Sequence, residues 1–425
     1  MTSVNSQASS TANYSLEISQ QSFTFMDKIA YRFISQALRK LEIGQLTLSF
    51  EGNTLFFGNP QHELSAHIEV TDKAFFKHVM LHRSIGLGEA YMDNLWDTPD
   101  LTNLIQVMAA NLKAINDLDK NKVWYSKILS RFAHRLNRNT LSGSKKNIEA
   151  HYDLSNDFFE LFLDSTMLYS AAIFGNASDS LKIASMNKAK TICQKLQLTK
   201  DDHLLEIGTG WGYLAIHAAM FYGCKVTTTT LSEEQYAYAK AKVAELGLSD
   251  KITLLKTDYR ELTGEYDKLV SIEMIEAVGH EYYDTYFEKC DSLLKDDGLM
   301  LIQAITIEDQ RYEHAKNSVD FIQKYIFPGG GLPSNAVIMD CLARKTQMQM
   351  VGFQDIGMDY AKTLNHWKKN FLQKKSEVMK LGFDERFIRM WEYYLCYCEG
   401  GFLQRAISTG QFVFAKSQWQ PKNVS

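Results

Sequence analysis

The segment VSIEMIEAVGH, residues 270 to 280, runs from an apolar, β-branched start into two carboxylates, Glu273 and Glu276. An acid placed there is either a solvated helix start or a proton acceptor aimed at a reacting centre. Upstream, LLEIGTGWGYLAIHAA (204 to 219) carries Glu206 and then Gly208, Gly210 and Gly212. Those glycines allow a tight turn and a close approach of the backbone to a ligand. The third glycine comes one residue too early for the GxGxxG dinucleotide fingerprint, so an ordinary dinucleotide site is disfavoured.

The elements that must position these groups are legible from about residue 200 onward. HLLEIG, CKVTTTTLS, ITLLKTD, KLVSIEMI and GLMLIQAITI are short aliphatic or β-branched runs, separated by helix-like or loop segments. That alternation predicts an α/β fold with a parallel, doubly wound, Rossmann-like sheet. Ligands of such sheets bind outside the carboxyl ends of the strands. Glu273 and Glu276 close the fourth of these strands and so fall on the binding edge. The second strand ends TTTTLSEEQ, without the acid that usually binds ribose hydroxyls.

The chain has 425 residues, 45% of them hydrophobic, enough for two domains with cores of their own. A net charge of −4 gives no reason to expect a nucleic-acid partner. Six cysteines (Cys193, Cys224, Cys290, Cys341, Cys396, Cys398) form no CxxC pair, which points to reduced thiols and to neither a disulfide framework nor a metal site. The polar start reads as a disordered tail over 1–21, with neither a signal peptide nor an anchor. No apolar run approaches the roughly 18 residues of a membrane span. Residues 22–115 predict a small α+β domain in which SIGLGEAYMDNLW is a loop, and 116–146 a basic linker. The 113–146 stretch carries nine Lys or Arg around an amphipathic VWYSKILSRFAHRLNR; it is either a solvated face or a surface for anionic lipid. HWKKNFLQKKSEVMK, with its five lysines, leaves the same two readings open.

The spacing ExGxGxG is that of S-adenosylmethionine-dependent methyltransferases. With HYDLSNDFFELFLD, MLYSAAIF, TTTLSEEQ, TDYRELTGEYDKLVSIEMIEAVGHEYYDTYF and DFIQKYIFPGGGLPS, residues 147 to 416 resemble the cyclopropane-fatty-acyl-phospholipid synthase family. The resemblance implies a methyltransferase catalytic domain over 147–425 with helical lipid-site insertions, and a lipid-binding-like N-terminal domain. It implies S-adenosylmethionine as cofactor, held by Tyr169, Ser170, Glu206, the three loop glycines, Thr230, Gln235, Asp258 and Tyr259. Thr230 and Gln235 would do the work of the missing acid.

The implied reaction methylates a cis double bond of an unsaturated phospholipid at the membrane surface and then closes a cyclopropane ring by loss of a proton. The expected setting is cytoplasmic, peripheral on the inner face of the membrane, with a homodimer left open. The family's base is a bicarbonate, and its holders correspond here to Glu276, Ile305, Tyr360, Gln303 in place of a His, and Ala171 in place of a Cys. Glu273 is left as a helix-start acid without a role. A family nucleophile aligns with Cys398, although the reaction needs no acyl-enzyme and a structural thiol fits equally. The changes at Ala171 and Gln303 keep a methylene- or methyl-branching activity open as the alternative; an inactive lipid-binding relic is the third reading. IFPGGGLPS (326 to 334) predicts a rigid-ended turn over the acyl site or an ordinary connector.

Overall fold

The computed structural model describes residues 23–112 and 154–421; the 113–146 basic stretch lies outside them. The chain divides into two compact units, Met1–Lys122 and Val123–Ser425.

In the first unit, α1 (Phe25–Leu38) opens with a capping box between Thr24 and Asp27. The alternating QLTLSF forms β1 (Gln45–Phe50), which pairs antiparallel with β2 (Asn53–Gly58). Glu51 and Gly52 turn the chain between them with φ of 47° and 77°, as a two-residue hairpin of this hand requires. β3 (Ser65–Val70) runs parallel to β1, and β4 (Trp96–Asp97) closes a sheet ordered β2-β1-β3-β4. The SIGLGEAYMDNLW loop expected from sequence is mostly helix. It is the second half of α2 (Ala74–Met92), which bends at Arg83, where φ is 56°. The halves pack so closely that a Cβ at Gly86 would lie 2.3 Å from the His78 carbonyl. Glycine therefore serves packing there, not a loop. Helix α3 (Leu101–Ala110) completes the unit, capped by Asp100.

The second unit is built on a seven-stranded sheet ordered β10-β11-β9-β8-β5-β6-β7. β5 (His203–Ile207), β6 (Lys225–Thr229), β7 (Ile252–Leu255), β8 (Tyr266–Ile272) and β9 (Leu294–Ile307) are the five runs read from sequence, and they pair in parallel. β11 (Ile407–Ala415) inserts antiparallel between β9 and β10 (Gln349–Asp355). These last two strands were not anticipated, because they follow a long helical stretch. Successive residues of the inner strands feed two apolar layers. Leu205, Ile207, Leu269 and Met300 pack on one face, and Leu204, Val226, Val270 and Leu301 on the other. The first face is covered by α7 (Tyr283–Leu293) and α8 (Asn335–Lys345), the second by α4 (Leu181–Lys195), α5 (Tyr213–His217) and α6 (Glu233–Glu245). Two long helices, α9 (Gly357–Gln373) and α10 (Glu385–Leu403), pack on each other.

Strand order reverses at β5, with β6 on one side and β8 on the other. That switch point opens a crevice at the carboxyl ends of β5 and β8. The glycine loop leaves the first, and Glu273 follows the second.

Candidate active site

One cavity at this crevice is lined by Tyr169, Ser170, Lys188, Glu206, the Gly208–Gly210 turn, Thr230, Gln235, Asp258, Tyr259 and Glu273, among others. The loop is tied to β6, since the Gly208 and Thr209 amides donate to the Thr229 carbonyl at 3.1 and 3.0 Å. Gly208, Gly210 and Gly212 have φ of 102°, 54° and 90°. A Cβ at Gly210 would meet no protein atom within 4 Å, so the turn borders space open to a ligand. At Gly212 it would lie 3.0 Å from the Ala239 Cβ, so this glycine seats the loop against α6.

Glu206 is buried beneath the loop and accepts from the Thr228 hydroxyl at 2.6 Å. Burial pushes its carboxyl up to about 8. The Thr230 hydroxyl donates to Gln235 Oε1 at 3.0 Å, which fixes both side chains in the cavity wall. Asp258 accepts from Arg260 Nε and Nη2 at 2.8 and 2.7 Å. The neighbouring Tyr259 hydroxyl is buried and meets no protein partner. Tyr169 packs edge-on against Phe159 and tilted on Trp367, and its hydroxyl pairs with that of Tyr394 at 2.9 Å. Every residue expected at the cofactor thus sits in or beside one cavity. Gly212 alone acts from behind the wall.

The acid cluster departs from expectation. Glu273 does not start a solvated helix. Its backbone turns out of β8 with φ of 50°, held by its amide donating to the Gln303 carbonyl at 2.7 Å. Its Oε1 accepts from the Ala171 amide at 2.9 Å and from Gln303 Nε2 at 2.8 Å. Its Oε2 accepts from the Tyr360 hydroxyl at 2.7 Å. Glu276 meets none of these groups; its Oε1 accepts from the Ile305 amide, and its Oε2 is buried without a partner. The five positions assigned to one anion therefore split into two sets, each organised by a carboxylate of the chain itself. Tyr360 and Gln303 belong to Glu273, and Ile305 to Glu276.

Electrostatics separates the two acids. Burial and the charge of Glu273 push Glu276 up to about 8, so it is mostly protonated at neutral pH. Burial also raises Glu273, but the Lys188 charge and the three donors oppose the rise. Lys188, fully buried on α4, donates to the Ser170 hydroxyl and is itself pushed down to about 8 by burial. Sequence reasoning missed this lysine. Its signal was its spacing, for Leu181, Ala184, Ser185, Lys188 and Ile192 form the inward stripe of α4.

Cys398 lies on α10, and burial holds its thiol well above the ordinary range, which fits a structural thiol and not a nucleophile. The IFPGGGLPS turn packs on the acid segment, with the Gly331 amide donating to the Glu276 carbonyl at 2.8 Å. In the lysine-rich helix, Trp367 and Phe371 point into the core and Lys368 pairs with Glu399 at 2.6 Å. The apolar residues of that segment are therefore internal and do not form part of a lipid-facing surface. Among the described residues no His, Cys, Asp and Glu cluster could hold a metal ion, and no helix is long and apolar enough to cross a membrane.

A parallel sheet reversing at β5, with a glycine turn over open space at the switch point, is a cofactor-binding architecture, and the ExGxGxG spacing of its turn is that of S-adenosylmethionine-dependent methyltransferases. A model of the mycolic acid cyclopropane synthetase family matches residues 109–412. The chain is 38% identical to the cyclopropane-fatty-acyl-phospholipid synthase of Escherichia coli K12 over 83% of this chain and 88% of that one. It is also 38% identical to the tuberculostearic acid methyltransferase of Mycobacterium tuberculosis, over 77% and 78% of the two chains. The structure of mycolic acid cyclopropane synthase CmaA1 complexed with SAH and CTAB superposes with a TM-score of 0.61 at 32% identity, covering 64% of this chain and 98% of that one. The chain belongs to the mycolic acid cyclopropane synthetase family, and it is an S-adenosylmethionine-dependent enzyme.

Proposed function

We propose that the protein methylates a cis double bond in an unsaturated phospholipid acyl chain and closes a cyclopropane ring there. The observation that carries this reading is the shared cavity, in which the glycine turn and a buried, hydrogen-bonded carboxylate stand at adjacent strand ends under aromatic side chains. S-adenosylmethionine supplies an electrophilic sulfonium methyl group when bound. The space beside Gly210, the Thr230–Gln235 pair and the buried Tyr259 suit its amino-acid, ribose and adenine parts in turn.

An alkene is a weak nucleophile, so the chain's main task is to hold it close and aligned. The alkyl cation that follows methylation would be captured by water, so the site must be dry. Tyr360, whose hydroxyl bonds Glu273, stacks on Phe402 and meets Trp367 edge-on, and Trp367 packs on Tyr169 in the cavity wall; ring faces attract positive charge. A carboxylate then takes the proton whose loss closes the ring.

The substrate would be reached at a membrane surface, with the 113–146 basic stretch as the attachment to anionic head groups. A second reading, methyl branching, is favoured by the likeness to the tuberculostearic acid methyltransferase. The two differ in which carbon loses the proton. Mass spectrometry of phospholipids from a host without its own synthase, with and without this protein, tests both. A gain of 14 mass units with loss of the double bond, and ring-specific fragments, supports the first. A methylene- or methyl-branched chain with the same gain of 14 mass units that keeps a double bond supports the second, and unchanged lipids refute both.

A further inference from the structure

We propose that Glu273 is itself the proton acceptor of this reaction and that its carboxylate stands where the family resemblance would put a bicarbonate. The inference rests on the function proposed above, but its geometry is independent of it.

The residues present do not fit a separate anion. Ala171, Gln303 and Tyr360 would be its donors, and all three already bond Glu273 at 2.9, 2.8 and 2.7 Å. The remaining pair, Glu276 and the Ile305 amide, bond each other. A second anion would sit beside a buried carboxylate in a low-dielectric wall, where like charges repel strongly.

The donors are also locked in the sense that a carboxylate requires. Lys195 has only protons to give, and it donates to Gln411 Oε1 at 2.7 Å. The Gln411 amide must then donate to Gln303 Oε1, as it does at 2.9 Å. Gln303 therefore presents its NH2 group, and not its carbonyl, to Glu273. A chain of three side chains from α4, β11 and β9 fixes one amide orientation for one acceptor.

The backbone supports the assignment. A glutamate at φ 50° is strained by comparison with glycine, and such strain persists where surrounding structure over-determines it, often at functional sites. Oε1 takes two donors and Oε2 one, which leaves Oε2 with an unclaimed lone pair. In the proposed step Oε2 accepts a proton from the methyl group newly bonded to the acyl chain. The electron pair of that C–H bond becomes the third C–C bond of the ring, the alkyl cation is discharged, and the carboxylic acid later gives its proton to solvent. Lys188 balances the carboxylate charge without bonding it, and Glu276, mostly neutral, adds little repulsion.

The test titrates carbon-13-labelled bicarbonate into the full-length, cofactor-free protein by NMR and measures turnover in carbonate-free and bicarbonate-containing buffer. The wild type should bind no bicarbonate and turn over equally in both. Glu273→Gly, which relieves the positive φ and opens the place, should bind bicarbonate, lose about 10²–10⁴ in rate without it, and recover part of the loss with it. Glu273→Gln should lose turnover while binding S-adenosylhomocysteine as tightly as the wild type does. Bicarbonate binding by the wild type with turnover dependent on it, or near-wild-type turnover by Glu273→Gln, would overturn the proposal. A wild type that modifies no lipid would instead refute the function, and the binding arm would still decide what occupies the place beside Tyr360.

Discussion

Tyr360 and Glu273 stand 87 positions apart, on α9 and just past β8, and meet in a 2.7 Å hydrogen bond from phenol to carboxylate. The bond joins a helical layer to the end of the parallel sheet at the point where the cavity is lined. Behind it, the Lys195–Gln411–Gln303 chain holds the second side-chain donor. Gln411→Leu should leave the buried Gln303 carbonyl without a donor, at a cost of about 1–3 kcal/mol in stability. With the amide free to turn, Glu273 should also lose part of its stabilisation as an anion. Denaturant unfolding and the acid limb of the kcat profile together check this; a stability loss with an unmoved limb would confine the chain to a structural role.

The pH dependence of turnover should follow Glu273. The groups facing it are Lys188, Glu276 and Tyr360, with Tyr394 nearby. A base acts in its ionised form, so kcat should fall as pH drops through a value raised by burial above the usual carboxylate range. Lys188→Met removes an opposing cation and should move that limb to higher pH. An unchanged limb in a folded Lys188→Met protein would show that the lysine does not balance this charge.

Glu276 gives a stability prediction with a definite sign. Its folded value of about 8 lies above the 4.5 of an exposed glutamate, so between these values the native state holds the extra proton. Stability from this group is complete below about pH 4.5 and is lost as pH rises through about 8. Glu276→Gln keeps the shape and cannot ionise. It should be close to neutral at pH 5 and stabilising at pH 9, by roughly 2 °C in Tm per kcal/mol. Thermal melts at the two pH values check the difference.

The loop glycines should separate by role. Gly210→Ala adds a methyl group that meets no protein atom, so the unit should fold with a penalty of about 1 kcal/mol for the positive φ and lose S-adenosylhomocysteine binding. Gly212→Ala presses on Ala239 and should lower stability more than affinity. Calorimetric titration beside thermal melts distinguishes the pair.

Cys398 should be dispensable for chemistry. Its thiol is held high by burial and lies outside the residues that line the cavity. Cys398→Ser should leave turnover within about twofold and cost about 1–2 kcal/mol in stability, the usual penalty of a buried hydroxyl without a full set of partners. Loss of turnover in a stable Cys398→Ser protein would restore the nucleophile reading.

Sequence alone pointed to the parallel core, because β-branched runs alternating with helical segments bury both faces of their strands in a parallel sheet covered by helices. It placed a glycine turn at a strand end as well, and the motifs from HYDLSNDFFELFLD to DFIQKYIFPGGGLPS, not the glycines alone, carried the family. It could not order β10 and β11, whose pairing is antiparallel and depends on β9 presenting a free edge. Nor could it show that SIGLGEAYMDNLW is helix, because the close contact of Gly86 with His78 exists only once α2 bends. Above all, it pointed to Glu276 as the acid of the base site and left Glu273, three residues before it on the same strand end, without a role. Only the tertiary structure brings Ala171, Gln303 and Tyr360 to Glu273 and leaves Glu276 with a single backbone amide, the arrangement on which the proposal for Glu273 rests. The reason is physical: in a buried site a carboxylate's charge depends on donors and cations that the fold gathers from distant positions, and local spacing carries no record of them.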